Sequence, residues 1–405
     1  MDILLISRCP PYPLHFGDRL IPYHLARQLA ERHHSVDLIA FYNRPEDAAD
    51  IPRYERFFRH IQLIREPTRG VARYLQRLNS AEFFPQSARA AWSSAMWNAI
   101  EERLDGGNYD VVQLFGGIQV YEYRDLVRSH PNIIVPYESF TLYLKHALEN
   151  SNTPSGVVGR FIAGQRYRMA RAYEKRMFEG YDRLIVLTDK DAAMLREINP
   201  NLKPTVIPNG VDTDYFVPTG IEPDTPTLIF TGNFEYAPNL DAAMQLVKHI
   251  FPAVKTRVPG ARLLLVGANP PLGLQAYRSG SVEITGRVPD VRPWLDQALI
   301  FISPLRMGAG IKNKVLEAMS MQKTIVATQL SMDGIAAQHE QHFLLAETNE
   351  ELMRAVVRLM KDAELRQRLA RNSRALIEER YTWRRVTERY EELYKEISWR
   401  RVNRN

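Results

Sequence analysis

The residues from Phe301 to Met319 carry the densest set of groups able to do chemistry: Phe-Ile-Ser-Pro-Leu-Arg-Met-Gly-Ala-Gly-Ile-Lys-Asn-Lys-Val-Leu-Glu-Ala-Met. An apolar run ending at Ser303 enters a glycine bend at Gly308-Ala309-Gly310, and the apolar periodicity that follows predicts a helix over Ile311 to Ser320. Glycines let a backbone approach a ligand closely, and the first N–H groups of a helix have no internal partner. Together they suit a phosphate. On a wheel of about 100° per residue, Gly310, Asn313, Lys314 and Glu317 share one arc, while Ile311, Val315, Ala318 and Met319 share another that reads as the buried face. The polar arc offers an amide, an ammonium and a carboxylate in a row. Lys314 can neutralise a phosphate, and Glu317 can accept from two neighbouring hydroxyls such as those of a ribose. Lys312 lies off this arc. A plainer reading makes Lys314 and Glu317 an i,i+3 surface pair and the glycines an ordinary turn. A dinucleotide fingerprint fits poorly, because Asn313 holds its third glycine position and no acid ends a next strand at the required spacing. A P-loop is excluded, since no glycine stands directly before a lysine followed by Ser or Thr.

Short β-branched runs alternate with longer amphipathic ones on either side of this segment. Strands are predicted at Ile3–Ser7, Val36–Phe41, Val111–Leu114, Ile133–Tyr137, Leu184–Leu187 and Thr205–Pro208, and again at Thr227–Thr231, Arg262–Val266, Val282–Thr285, Leu299–Ser303 and Thr324–Ala327. Helices are predicted at Leu20–Arg32, Ala88–Leu104, Gly159–Phe178 and Asp189–Glu197, then at Asn239–Thr256, Ile311–Ser320, Glu350–Lys361, Ala363–Glu378 and Arg384–Ser398. Alternating strands and helices imply βαβ units and parallel sheets. Asn209 to Thr227, rich in Pro, Gly and Asp, reads as a linker between two α/β domains, with Asp212-Thr213-Asp214 as a turn. Ligands of such sheets bind beyond the carboxyl ends of the strands, and a cleft between two facing domains is the default site.

The chain has 405 residues, 45% of them hydrophobic and 25% charged, which excludes collagen-like, disordered and disulfide-scaffold classes. Its one cysteine, Cys9, can form neither an internal disulfide nor a thiolate cluster, which fits a reducing compartment. No run reaches the length of a membrane span. Met1 to Ser7 lacks a basic leader and a cleavage site, so it reads as a first strand in a cytoplasmic protein rather than a signal peptide. Fifty-three basic against forty-seven acidic residues leave +6, a surplus that suits an anionic small molecule, a lipid surface or nucleic acid. No nucleic-acid module appears.

The order of motifs resembles family 4 glycosyltransferases of the GT-B fold. The resemblance rests on the glycine loop with Lys314-Val315-Leu316-Glu317-Ala318-Met319, on Lys323 to Thr328, and on Ile207-Pro208-Asn209-Gly210-Val211-Asp212 with Phe216 and Pro218. Thr231-Gly232-Asn233, Val266-Gly267 and Thr285-Gly286-Arg287-Val288-Pro289-Asp290 agree with it, as does Pro11-Tyr12-Pro13 through Gly17-Asp18-Arg19. With Tyr236-Ala237-Pro238-Asn239, the pattern looks closest to sugar transferases of bacterial exopolysaccharide gene clusters.

This resemblance implies two Rossmann-like domains whose parallel sheets face each other across a cleft. The N-terminal, acceptor-binding domain would span 1–208, with the helix of 384–405 packing back on it, and the donor-binding domain would span 209–383. It implies a retaining, metal-independent transfer from a nucleotide-diphosphate sugar to a hydroxyl of a lipid-linked or oligosaccharide acceptor, with no cofactor. Gly232, Asn233, Gly286, Arg287, Gly308, Ala309, Gly310, Ile311, Asn313, Lys314 and Glu317 would hold the donor, and Gly17, Asp18 and Arg19 the acceptor. Three departures stand out. The place of a first glutamate near the glycine loop holds Arg306, Met307 and Ala309; no basic residue follows Gly232 closely, leaving Arg287 and Arg306 as candidates for a second phosphate cation; and the family's N-domain histidine is replaced, by position, by Glu138. Glu138, with Lys314 and Glu317, is the expected catalytic set, although an exposed loop glutamate is the alternative for Glu138. The departures also allow a catalytically inactive nucleotide-sugar-binding protein.

Arg19 could meet a phosphate or acceptor, or simply open a solvated helix. His33-His34 reads as a structural helix end. The stretch with Arg160, Arg166, Arg168, Arg171, Lys175 and Arg176, interleaved with Phe161, Ile162, Tyr167 and Met169, reads either as a solvated face or as one that lies on an anionic membrane surface, with Arg400, Arg401 and Arg404 adding to it.

Overall fold

Thirteen strands form two all-parallel sheets in a computed structural model that describes residues 1–15, 17–68, 84–149 and 157–402. The first sheet has the order β3-β2-β1-β4-β5-β6-β7. Its strands are β1 (Asp2–Ser7), β2 (Ser35–Tyr42), β3 (His60–Arg65), β4 (Val111–Phe115), β5 (Asn132–Tyr137), β6 (Arg183–Val186) and β7 (Pro204–Val206). The second, β10-β9-β8-β11-β12-β13, is built of β8 (Thr227–Thr231), β9 (Arg262–Val266), β10 (Val282–Ile284), β11 (Ile300–Ser303), β12 (Thr324–Ala327) and β13 (Phe343–Leu345). Central strands such as Ile3 to Ile6 and Leu228 to Phe230 are buried on both faces, which is why they read as unbroken apolar runs.

Two strands escape the sequence pattern. β3, His-Ile-Gln-Leu-Ile-Arg, is a half-exposed edge strand with polar ends, and β13 is only three residues long and also an edge. The helix Phe140–Glu149 is likewise unpredicted, and its start is fixed from afar. Buried Glu174, on the helix Val157–Met177, accepts from the Phe140 N–H at 2.7 Å, the Thr141 N–H at 3.3 Å and the Ser139 hydroxyl at 2.9 Å. The single helix expected over Asn239–Thr256 is instead Ala237–Gln245, a π-turn at Leu246–Ile250, and Phe251–Arg257. Pro252 lacks an N–H and clashes with a regular preceding turn, and the wider π-turn accommodates it.

The contacts divide the chain into two units. Unit 1 holds the first sheet and the chain from Val386 onward; unit 2 runs through Pro208–Arg385 and holds the second sheet. The segment read as a linker belongs to unit 2 and is pinned there. The Val211 N–H donates to the Tyr381 carbonyl at 2.7 Å, and Arg374 and the Ser320 hydroxyl both donate to the Phe216 carbonyl. Its polar composition reflects turns, including the expected one at Asp212, whose Oδ1 accepts from the Asp214 and Tyr215 N–H groups.

The helix Trp383–Val402 docks on unit 1 through Val386, Tyr390, Leu393, Tyr394 and Ile397, a helical stripe that is buried throughout. The Tyr394 hydroxyl meets buried Gln113 on β4, and Glu391 holds both Arg32 and His34. His34 is thus structural, as expected.

Two glycines of unit 2 test this packing. A Cβ on Gly267, which has φ +154°, would lie 1.7 Å from the Gly232 carbonyl oxygen, whereas one on Gly273 would meet nothing within 4 Å. Gly267→Ala is expected to lower stability by about 1–3 kcal/mol and Gly273→Ala to leave it unchanged or slightly raised; thermal melts of the two variants check this.

Candidate functional site

Strand order in the second sheet reverses between β8 and β11, and the loops leaving those two strands open the crevice where open α/β sheets take their ligands. The β11 loop carries Gly308 at φ +121° and Gly310 at φ +68°, conformations that L side chains rarely adopt. The helix then begins at Asn313, with Lys312 as its N-cap, two residues later than the periodicity predicts. Val315, Leu316, Ala318 and Met319 are buried, while Asn313, Lys314 and Glu317 stay half-buried on the other face, as the wheel requires. Ala309 and Ile311 are buried; the Lys312 ammonium folds back onto the Ala309 and Gly310 carbonyls and closes the loop.

A chain of close approaches links the strand ends. Gly286 bridges to Gly267, Gly267 presses on Gly232, and a Cβ on Gly232 would lie 2.8 Å from the Asn239 amide nitrogen and 3.0 Å from Lys314 Nζ. Asn239 is the joint. Its Nδ2 donates to the Asn233 carbonyl at 2.9 Å, and its Oδ1 accepts from Lys314 Nζ. Lys314 Nζ also stands 4.4 Å from the centre of the Phe230 ring. Asn313 accepts at 2.7 Å from Asn209, a residue of the 207–212 motif. Asn239 is absent from the residues the sequence singled out as donor ligands. Its signal was Pro238 beside it, which fixes the first turn of Ala237–Gln245 and so its position.

Burial, with Lys312 nearby, pushes the Lys314 ammonium down to about 7, against the opposing pull of Glu317. Burial pushes the Glu317 carboxyl up to about 7, against Lys314. Among the described residues the Glu317 carboxyl makes no hydrogen bond and forms no ion pair within 4.0 Å. A basic group and an acid in one recess, neither neutralised by a close partner, are arranged to receive something charged and hydroxylated.

Arg306 does not join them. Its guanidinium grips Asp241 with two bonds of 2.6 and 3.1 Å, and half of its side chain is exposed. Asn233 and Arg287 are exposed at the ends of β8 and β10, and Gly286, at φ +82°, turns the β10 loop. Three or more His, Cys, Asp or Glu residues able to hold a metal do not cluster anywhere among the described residues.

In unit 1, Glu138 sits half-buried just past β5, after Tyr137, whose φ of +70° is strained for a non-glycine residue. The Tyr137 hydroxyl donates to the Asp18 carbonyl at 2.8 Å, which ties the end of β5 to the start of the helix Gly17–Glu31. Asp18 pairs with Arg8 at 3.3 Å, and Gly17 is exposed. Arg19 departs from both readings of it. It is 5% exposed and bonds Asp47 at 2.8 Å and the Tyr12 carbonyl, so it neither opens a solvated helix nor offers its guanidinium to an acceptor.

With this geometry in view, comparison with known proteins is informative. Residues 22–215 match the family model described as Glycosyltransferase Family 4, and residues 225–362 match that described as Glycosyl transferases group 1. The chain therefore carries the paired domains of a family 4, group 1 glycosyltransferase. A Klebsiella pneumoniae protein, "Uncharacterized 44.6 kDa protein in cps region", is 22% identical over 95% of this chain and 97% of its own length. A sucrose-phosphate synthase from Thermosynechococcus elongatus superposes with a TM-score of 0.74 at 19% identity over 98% of both chains. Anabaena HepE in complex with UDP gives 0.69 at 13% identity over 98% of this chain and 100% of that one. The fold is GT-B.

Stability should report the Lys314 environment. Lys314 releases its proton near 7 in the fold and at 10.5 when unperturbed. Between those values the unfolded chain holds the extra proton, so the fold gains stability as pH rises through that window. Glu317 acts oppositely and lower, between 4.5 and about 7, where the fold holds the extra proton and loses stability as pH rises. Lys314→Met should therefore remove the gain that the native chain makes between about pH 7 and 9, read as the difference between the two proteins' denaturation midpoints. Parallel pH profiles would contradict the assignment.

Proposed function

We propose that the chain is a retaining glycosyltransferase that moves a hexosyl group from a nucleotide-diphosphate sugar to a hydroxyl of a lipid-linked or oligosaccharide acceptor. It would act in the cytoplasm, in exopolysaccharide or cell-envelope glycan synthesis. The observation that carries this reading is Lys314, held by Asn239 at the switch point of the second sheet beside the left-handed glycines 308 and 310. In the transfer the bond from the anomeric carbon to the diphosphate breaks and a bond to the acceptor oxygen forms on the same face. Negative charge grows on the departing phosphate. Lys314 and the N–H groups of the glycine loop and helix start stabilise it without rearranging, so the proposed reaction needs neither metal nor cofactor. Glu317, whose carboxyl has no hydrogen-bond partner among the described residues, takes ribose or sugar hydroxyls. Glu138 is the residue proposed to bind a sugar hydroxyl or assist the acceptor, and Gly17 and Asp18 are proposed to bind the acceptor.

The relatives support the setting. The Klebsiella protein lies in a cps region, and Anabaena HepE has been crystallised with UDP and with UDP-glucose. The second reading, a nucleotide-sugar-binding protein without activity, is favoured by one observation. The place of the first family glutamate carries Arg306, held by Asp241, and no carboxylate.

Thermal shifts with UDP-, GDP- and ADP-sugars identify the donor, since a ligand of the native state raises its apparent stability. Lys314→Ala and Glu317→Ala are expected to weaken that donor roughly ten- to a hundredfold with the fold intact. Affinity should fall as pH rises above about 7, because the bound diphosphate needs Lys314 protonated. Native affinity in both variants would sink the site. Donor binding without hydrolysis or transfer under any acceptor condition would favour the inactive reading, and an inverted anomeric centre in the product would refute retention.

A further inference from the structure

The helix Val157–Met177 presents a face that the donor site leaves unused. Placed on a wheel of about 100° per residue, Phe161, Ile162, Arg168, Met169, Lys175 and Arg176 fall in one arc of about 140°. The opposite arc holds Ala170, Glu174 and Met177, which are buried in unit 1. Phe161 is 64% exposed, Ile162 53% and Met169 36%, an unusual concentration of large apolar side chains in water on one helix. Arg160, Arg166, Arg168 and Lys175 are exposed as well, and their side chains make neither hydrogen bond nor ion pair among the described residues, whereas Arg171, on the flank, is held by Glu197 at 2.9 Å. The helix has one acid, Glu174, and it faces inward to cap Phe140–Glu149. The outward face therefore combines cations, of which Arg168 and Lys175 have no side-chain partner among the described residues, with apolar side chains, and bears no carboxylate.

We infer that this face docks on an anionic lipid surface, with Phe161, Ile162 and Met169 entering the headgroup boundary and Arg168, Lys175 and Arg176 lying among phosphate groups. The charge pattern selects this occupant. A purely solvated helix would not expose Phe161 and Ile162 together, and a partner made of a second copy would bring this all-cationic face against itself. No helix among the described residues is long and apolar enough to cross a membrane, so the attachment is to the surface. The inference concerns unit 1 alone and is independent of the donor reading.

Flotation of the full chain with phosphatidylcholine vesicles, with and without phosphatidylglycerol, tests it. The chain should float only with the anionic vesicles and release at high salt. Arg168→Gln with Lys175→Gln should weaken partition about fivefold per charge, the equivalent of about 1 kcal/mol each. Phe161→Ser with Ile162→Ser should also lose partition, and all variants should keep the native melting temperature and nucleotide binding. Phe161→Trp should show a blue-shifted emission on anionic vesicles. Failure of the native chain to float, or equal flotation of the native chain and both double variants, overturns the proposal. So does a native dimer in sedimentation velocity that Phe161→Ser with Ile162→Ser converts to monomer without any lipid dependence.

Discussion

The bond between Lys314 and Asn239 is the constraint on which unit 2 turns. A lysine ammonium half out of water is costly, and the fold keeps it there with one side-chain amide and the face of Phe230. Asn239 can do this only because Gly232 has no side chain, and Gly232 can sit where it does only because Gly267 yields its own Cβ space. Four residues from the segments that follow β8, β9 and β11 are thus set by one another. The arrangement fixes the position of the amine before any ligand arrives, which is what stabilising a developing anion requires. Its cost is a site less stable than an apolar filling would be, the usual relation between stability and a prepared site.

Three buried or half-buried carboxyls show how the environment assigns different states to one chemical group. Burial pushes Asp37 up, yet donors from Arg59, Tyr109 and His60 outweigh it and hold the group below its ordinary value. Glu174 has donors too, but burial dominates and its carboxyl is raised. Glu317 has only the nearby charge of Lys314 to offset burial and is raised to about 7. The first two are structural: Asp37 ties the start of β2 to β3 and to Tyr109, and Glu174 starts a helix. The third has no such task among the described residues.

Most of the architecture is legible in the residues themselves, because central parallel strands are apolar runs and the helices between them keep a 3.6-residue period. The glycine loop and the polar arc of Asn313, Lys314 and Glu317 were readable for the same reason, since local backbone and local periodicity decide them. What was not readable is set by tertiary partners. The edges β3 and β13 lack a full apolar signature, Phe140–Glu149 begins where a distant glutamate meets it, and Asn239 matters only because β8 and β11 are neighbours. Arg19 and Arg306 show the converse. Both look available in the sequence, and both are taken by aspartates, Asp47 and Asp241, that only the fold brings near.

The helix that runs from Trp383 to Val402 bears on the order in which the chain is made. Unit 2 is continuous from Pro208 to Arg385, so that whole stretch has been synthesised before the residues after Arg385 are added. Unit 1 is not continuous. Gln113, Arg32 and His34 receive their partners Tyr394 and Glu391 only when those residues are added, 281 to 359 positions later. Until then the first sheet has an uncovered flank, and the half of the molecule that is synthesised first is the last to be finished.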